Sequence, residues 1–161
     1  MKDRRTLGAT ATAATIALVG ALIALAPGAT PREDPRLPEI RERFEQGVVM
    51  LHAKRYDHAL TAFHRVLELD PAMPEAHVNA GFALLGMDRP DAASDFFRSA
   101  IELRPRQLNA YYGLAEALER TGDLAGARGA MRTYAHLAPA DDPFRRKAES
   151  ALWEWQARPA R

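Results

Sequence analysis

Apolar residues between positions 40 and 141 recur at helical spacing and are interrupted by short polar breaks. One stretch shows the pattern on both sides of a break, with apolar residues at Val48, Leu51, Leu60, Phe63, Val66 and Leu67. Spacings of three and four residues place such side chains on one face of an α-helix. The pattern therefore predicts an all-α fold in which amphipathic helices are paired by short turns.

The same pattern returns every 34 residues. Aligning residues 40–73, 74–107 and 108–141 brings residues of one type or size into common columns: Pro71, Pro105 and Pro139; Ala59, Ala93 and Ala127; Gly47, Gly81 and Ala115; Phe63, Phe97 and Met131; Leu69, Leu103 and Leu137. Several columns at one offset indicate a repeat, and each unit predicts one helical hairpin. The prolines predict where each second helix ends, because proline cannot continue the hydrogen-bonded ladder.

These columns resemble the tetratricopeptide repeat family, whose units also have 34 residues. The resemblance covers residues 40–141 and implies a right-handed superhelix of about three hairpins, within a repeat region at residues 39–141. Small residues such as Gly47 and Gly81 allow paired helices to approach closely. The rings of Phe63 and Phe97 are then expected to fill the seam between the helices.

A further helix is predicted at residues 142–157. Asp142 and Pro143 offer a helix cap followed by a proline at the first helical position. Apolar residues follow at spacings of four, four and three: Phe144, Ala148, Leu152 and Trp155. Polar residues are expected on the outer face: Arg145, Arg146, Glu149 and Glu154. We interpret this helix as a cap on the last apolar face of the repeat array, with Trp153 and Trp155 on different faces.

The N-terminal region predicts a membrane or export signal at residues 1–26, followed by a linker at residues 27–38. Leu7 to Ala26 carries no charge and is preceded by three basic residues. As a helix it would span about 30 Å, the thickness of the hydrocarbon core of a membrane. Two interpretations remain open, a single-pass inner-membrane anchor and a cleaved signal peptide. Both place the rest of the chain in the periplasm, since the basic flank stays cytoplasmic.

Composition narrows the classes of function. The chain has 22 basic and 21 acidic residues, a net charge of +1, so no overall field favours nucleic acid. It has no cysteine, which excludes thiolate metal sites and a cysteine nucleophile. Neither a phosphate-binding loop nor a dinucleotide fingerprint occurs. We therefore expect no enzyme activity, no cofactor and no metal.

The family resemblance implies that the first helix of each hairpin lines a concave groove that holds partner peptides. The candidate partner-binding residues on these helices are Phe44, Val48, Val78, Asn79, Phe82, Tyr112 and Glu116. Asn79 is expected to bond a peptide backbone, because its amide both donates and accepts. Glu116 is expected to face a basic partner residue. The alternative for the apolar members is that they belong to the interhelix core.

The same resemblance bears on the kind of peptide. Relatives that bind chaperone tails clamp a terminal carboxylate with basic residues, and the corresponding positions here hold Phe44, Val48, Asn109 and Gly113. An acidic chaperone tail is therefore not the expected ligand. The groove is expected to bind an apolar segment of another protein.

Three classes of function follow. The leading hypothesis is a scaffold or assembly factor at the cell envelope, tethered to the membrane by its N-terminal helix and binding a protein partner. A narrower form, based on architecture, is an accessory factor in the maturation of c-type cytochromes or nitrite reductase. The alternatives are self-association, with copies stacking through the capping helix or the Arg43 end, and an enzyme.

Overall fold

The computed structural model describes residues 34–157, and the regular structure of this part is entirely α-helical, as predicted. The helices are α1 (Leu37–His52), α2 (Tyr56–Leu69), α3 (Pro74–Gly86), α4 (Pro90–Leu103), α5 (Leu108–Thr121), α6 (Leu124–Leu137) and α7 (Arg145–Ala157). The predicted span at residues 7–26 lies outside the described residues. Across residues 34–157, no helix combines the length and the apolar character needed to cross a bilayer.

Local chemistry explains where the helices begin and end. Proline occupies the first turn of α3 and of α4, where the missing N–H would have no intrahelical partner. Asp123 caps α6, its carboxylate accepting a hydrogen bond from the backbone N–H of Gly126 at 2.9 Å. The second helices end two residues before Pro71, Pro105 and Pro139, as predicted.

The turn inside each hairpin uses a left-handed residue at the same repeat position. Lys54 has a φ of 57°, Asp88 of 58° and Gly122 of 88°. Only glycine adopts this conformation without steric cost. The repeat is therefore present in the backbone angles as well as in the residue types. At Lys54 and Asp88 the residue type alone does not predict the left-handed conformation.

Close approach of the two helices of a hairpin depends on glycine, as predicted. A Cβ added at Gly47 would lie 2.5 Å from the Phe63 ring, and one at Gly81 would lie 2.8 Å from the Phe97 ring. Both rings are fully buried. Successive hairpins pack through α2 on α3 and α4 on α5, and α7 packs on α6. Buried residues of all three hairpins form a main core cluster, beside a smaller cluster of Ile40, Val66 and Ala76.

Helix α7 covers the last hairpin, largely as predicted. Trp155 is 2% exposed, and its indole N–H donates to the Glu119 carboxylate at 2.7 Å, whereas Trp153 is 73% exposed. The two tryptophans do lie on different faces. Arg145 lies at the edge of the outer face: it is half-buried, and its guanidinium donates both to the outer Glu149 carboxylate at 3.2 Å and to the carbonyl of Ala138 at 3.1 Å. Phe144 precedes the helix and is 47% exposed, so it is not part of the buried stripe.

Candidate functional site

The predicted groove residues lie on α1, α3 and α5, and the aromatic ones share a mode of support. Each is half-buried, and its ring stands edge-on against a buried ring from the second helix of the same hairpin. The ring pairs and their centroid distances are Phe44 on Phe63 at 5.8 Å, Phe82 on Phe97 at 5.1 Å, and Tyr112 on Tyr134 at 5.4 Å. Edge-to-face contact is the favoured geometry for aromatic pairs. The groove rings are therefore held in place before any partner arrives.

The sequence predicts two valines in the groove, and the structure separates them. Val48 on α1 is half-buried and packs against the main core cluster. Val78 on α3 is 3% exposed. The prediction that Val78 is available in the groove is therefore wrong, and its side chain belongs to the core. The reason is position, because α3 has first helices on both sides of it, α1 and α5.

Asn79 lies on α3, close in the helix to Phe82, and is half-buried. Its amide makes no hydrogen bond to any other residue in the range 34–157. A primary amide offers two donor hydrogens and an acceptor oxygen. The side chain is thus a half-buried polar group on a first helix, with no hydrogen-bond partner in the described part of the chain.

Glu116 on α5 is engaged within the protein. Its carboxylate accepts from Arg120 at 2.6 Å, and Arg120 also donates to the carbonyl of Leu85 at 2.8 Å. A basic partner residue would have to share Glu116 with this fixed cation. Burial, and to a smaller extent the charge of Glu116, raise the pKa of Tyr112. The Tyr112 hydroxyl is accordingly a neutral hydrogen-bond donor at physiological pH.

Sequence reasoning missed one member of the site. Phe144 contacts Tyr112 at a ring centroid distance of 5.8 Å in a T-shaped geometry, and the Lys147 ammonium lies 5.1 Å from the Phe144 ring centroid. The helical spacing predicts Phe144 in the buried stripe of the capping helix, and this prediction is wrong. Its contact with α5 depends on how the turn before α7 folds back, which no local pattern in the sequence signals.

The positions that carry a basic clamp in chaperone-binding relatives hold no cation. Phe44 and Val48 are half-buried apolar residues, Asn109 is exposed, and Gly113 is buried against the Phe97 ring. Among residues 34–157, no group of three His, Asp or Glu side chains is placed to hold a metal ion. The chemistry of these surfaces is therefore aromatic and apolar, with isolated polar groups.

Comparison with protein families agrees with the repeat columns. Two sequence models described as tetratricopeptide repeat match the chain, one at residues 78–142 and the other at residues 50–98. Together they span more than half of the chain.

Curated relatives match more than half of the chain. The bimA protein of Emericella nidulans is 31% identical over 90 residues, which is 56% of this chain and 11% of the relative. The co-chaperone DNJ1 of Cryptococcus neoformans, which has tetratricopeptide repeats and a J domain, is 28% identical over 101 residues, 63% of this chain and 19% of the relative. The chain thus spans between a tenth and a fifth of the length of these relatives.

Solved structures share the fold at low sequence identity. The first repeat domain of Spaghetti (RPAP3), bound to the HSP90 peptide SRMEEVD, is 18% identical, with a TM-score of 0.69 over 74% of this chain and 91% of that one. The type III secretion translocator chaperone SycD of Yersinia enterocolitica is 17% identical, with a TM-score of 0.70 over 73% and 83%. With these matches, the repeat columns and the packing of the hairpins, the chain belongs to the tetratricopeptide repeat family.

Proposed function

We propose that this chain is a protein-interaction module, not an enzyme, and that it binds an apolar segment of a partner protein. The binding surface is the groove residues on α1, α3 and α5: Phe44, Val48, Asn79, Phe82, Tyr112 and Glu116. The observation that carries the proposal is the series of groove rings, one on each first helix, each fixed by a buried ring beneath it. Rings that are already oriented lose little conformational freedom when a partner binds.

The fold neighbours support a peptide as the ligand. The repeat domain of RPAP3 is bound to an HSP90 peptide, and SycD is also solved in complex with a peptide of the translocator YopD. In this chain Phe44, Val48, Asn109 and Gly113 stand where a carboxylate clamp would need cations. An apolar side chain placed between Phe82 and Tyr112 would gain from burial. The Asn79 amide can bond the backbone of the same segment, which would fix its position.

We further propose that the module works at the cell envelope as a scaffold or assembly factor. The support is the uncharged stretch from Leu7 to Ala26 with basic residues before it. Such a segment would tether the repeat region to the outer side of the inner membrane, or direct its export after cleavage. The narrower form of this proposal is a role as an accessory factor in the maturation of c-type cytochromes or nitrite reductase.

The test is partner capture from membranes with cross-linking, using the full chain. Asn79→Ala is the cleanest variant, since the amide makes no hydrogen bond among the described residues that its removal would break. We expect it, and more strongly the Asn79→Ala/Tyr112→Ala pair, to reduce capture while circular dichroism stays unchanged. Asp95→Ala is the matched control, because Asp95 is an exposed polar residue on a second helix, α4. Undiminished capture by the groove variants would move the site elsewhere.

A peptide titration separates the apolar groove from a carboxylate clamp. A labelled SRMEEVD peptide should show no saturable binding to the full chain, because no cation occupies the clamp positions. Saturable binding that Asn79→Ala weakens would keep the groove and refute its proposed preference for apolar segments. Binding that is insensitive to Asn79→Ala would refute the placement of the site as well.

A further inference from the structure

Helix α7 occupies the place of a first helix in a fourth repeat unit. Ala148 follows Leu114 by 34 residues, and both side chains are buried. The packing repeats as well, because α7 packs on α6 as α5 packs on α4. Residues of α7 can therefore be assigned to the repeat columns of the other first helices. Lys147 falls in the column of Gly113 and Asn79, which contributes Asn79 to the proposed groove.

Phe144 and Lys147 extend the groove toward α7, and we call this pair the α7 subsite. The exposed Phe144 ring stands edge-to-face with the groove ring of Tyr112, at a centroid distance of 5.8 Å. The Lys147 ammonium lies 5.1 Å from the centroid of the Phe144 ring. The groove rings on α1, α3 and α5 thus gain a fourth ring, with a cation beside it.

The turn before α7 holds Phe144 in place. One carboxylate oxygen of Asp142, Oδ1, accepts from the Phe144 backbone N–H at 2.8 Å and from the Tyr134 hydroxyl at 2.6 Å. Tyr134 is buried, and it is also the ring that supports Tyr112. One buried residue therefore supports a groove ring through its own ring and fixes the Phe144 turn through its hydroxyl. The Phe144 side of the α7 subsite is organised before a partner binds, as the rest of the groove is.

The charges at this end of the groove are not balanced. The Glu116 carboxylate is paired with Arg120 at 2.6 Å. Lys147 forms no salt bridge within residues 34–157, and its contact there is the Phe144 ring. An aromatic face stabilises an ammonium group but leaves its charge in place. The α7 end of the groove therefore presents a positive charge that no described carboxylate neutralises.

We propose that the α7 subsite selects partner segments that carry one acidic side chain at the end of an otherwise apolar stretch. The Phe144 ring would contact the last apolar side chain, and the Lys147 ammonium would pair with the carboxylate. This inference rests on the proposed function and deepens it. Because the subsite lies at one end of the groove, the acidic side chain also sets the direction in which the segment binds.

The carboxylate is assigned to a side chain, since the clamp positions that would hold a terminal carboxylate contain no cation. A strongly acidic peptide such as SRMEEVD stays excluded. Its further carboxylates would lie against the groove rings without a cation, and a desolvated charge without a partner is costly. The subsite thus favours one acidic residue and disfavours several.

Peptide selection on the immobilised full chain tests the subsite without a known partner. Random segments are displayed within a loop of a phage coat protein, so that no segment has a free end. The parent should enrich apolar segments with one aspartate or glutamate at an end, and Lys147→Glu should enrich lysine or arginine there instead. Arg132→Glu is the matched control, because Arg132 is an exposed cation on a second helix, α6, and it should select the same segments as the parent.

Fluorescence polarisation then measures the effect of the charge. An enriched segment containing glutamate is compared with its glutamine counterpart, both as acetylated and amidated peptides. For the parent and for Arg132→Met, the glutamine peptide should bind about threefold to fivefold more weakly, the size expected for one exposed ion pair. For Lys147→Met the two peptides should bind equally. Phe144→Ala should weaken both peptides, because it removes apolar contact surface.

Failure of the subsite can be distinguished from failure of the groove. No enrichment, or segments whose binding is unchanged by Asn79→Ala, would refute the groove and the proposed function with it. Segments that depend on Asn79 but show no acidic preference, or keep that preference in Lys147→Met, would overturn the α7 subsite alone. Full binding of both peptides to Phe144→Ala would overturn it too. A preference seen only with a free carboxyl terminus would indicate a terminal clamp and overturn the assignment to a side chain.

Discussion

Gly113 is the residue whose replacement tests the packing of the stack most directly. It lies on α5, against the rim of the fully buried Phe97 ring from α4. A Cβ added to Gly113 would overlap that rim, and the ring has no room to withdraw. Gly81 on α3 holds the ring from another side, at 2.8 Å from where its own added Cβ would lie. Gly113→Ala must therefore push α4 and α5 apart.

The size of the effect follows from two opposing terms. Forcing extra volume into a packed core costs about 1–3 kcal/mol, and a trapped ring puts this site near the upper end. The higher helix propensity of alanine relative to glycine offsets this cost by about 1 kcal/mol. The expected result is a net loss of about 2 kcal/mol, or roughly 8 °C in melting temperature for a domain of this size.

Gly129 supplies the matched control. It is an exposed glycine on α6, and a Cβ there meets nothing within 4 Å. Gly129→Ala should stabilise the protein by up to about 1 kcal/mol, through propensity alone. Urea denaturation of both variants measures the difference. If Gly113→Ala were as stable as the parent, the account of Phe97 as a ring trapped between glycines would be refuted.

Three further predictions concern turns and buried polar groups. Asp88→Gly should stabilise by about 0.5–1 kcal/mol, because the native φ of 58° suits glycine; a lower urea midpoint would contradict this. Burial and then the Asp142 carboxylate raise the pKa of Tyr134, so its contribution to stability is full below the unfolded-state pKa of about 10 and is lost as pH rises further. Above pH 10, the urea midpoint should fall less steeply with pH for Tyr134→Phe than for the parent. Equal slopes would argue against a contribution of Tyr134 ionisation to the loss of stability. His77→Tyr should be neutral or stabilising in thermal melts followed by circular dichroism. The His77 ring donates through Nε2 to the carbonyl of Pro71, and Tyr111 in the next repeat donates in the same way to the carbonyl of Pro105. A loss of stability above about 1 kcal/mol would count against the equivalence of the two positions.

The features that sequence predicted well are those fixed by local chemistry. Helices end before Pro71 and Pro105 because proline lacks the N–H that the ladder needs. The separation of Trp153 from Trp155 follows from helical geometry alone, since residues two apart cannot share a face. These outcomes need no knowledge of what packs against the helix.

Features that depend on neighbouring helices were harder to predict. Phe44 and Val78 occupy the same repeat column, yet Phe44 is half-buried and Val78 is core. The difference arises because α3 has a first helix on each side, α1 and α5. Among the described first helices, α1 is flanked by α3 alone. The left-handed turn at Lys54 is likewise not apparent from the sequence, because Gly122 is the one glycine among the three residues of that column.

The packing of the core and the shape of the groove are not independent in this chain. Phe97 contacts Gly81 and lies beneath Phe82, so a change that displaces this ring also moves a groove ring. A variant that displaces the Phe97 ring and loses binding does not identify the binding residues, because it loses stability and distorts the groove at the same time. Asn79 is different, because no hydrogen bond among the described residues depends on its amide. Binding that is lost in Asn79→Ala at unchanged stability therefore assigns the ligand to the groove more securely than any aromatic substitution.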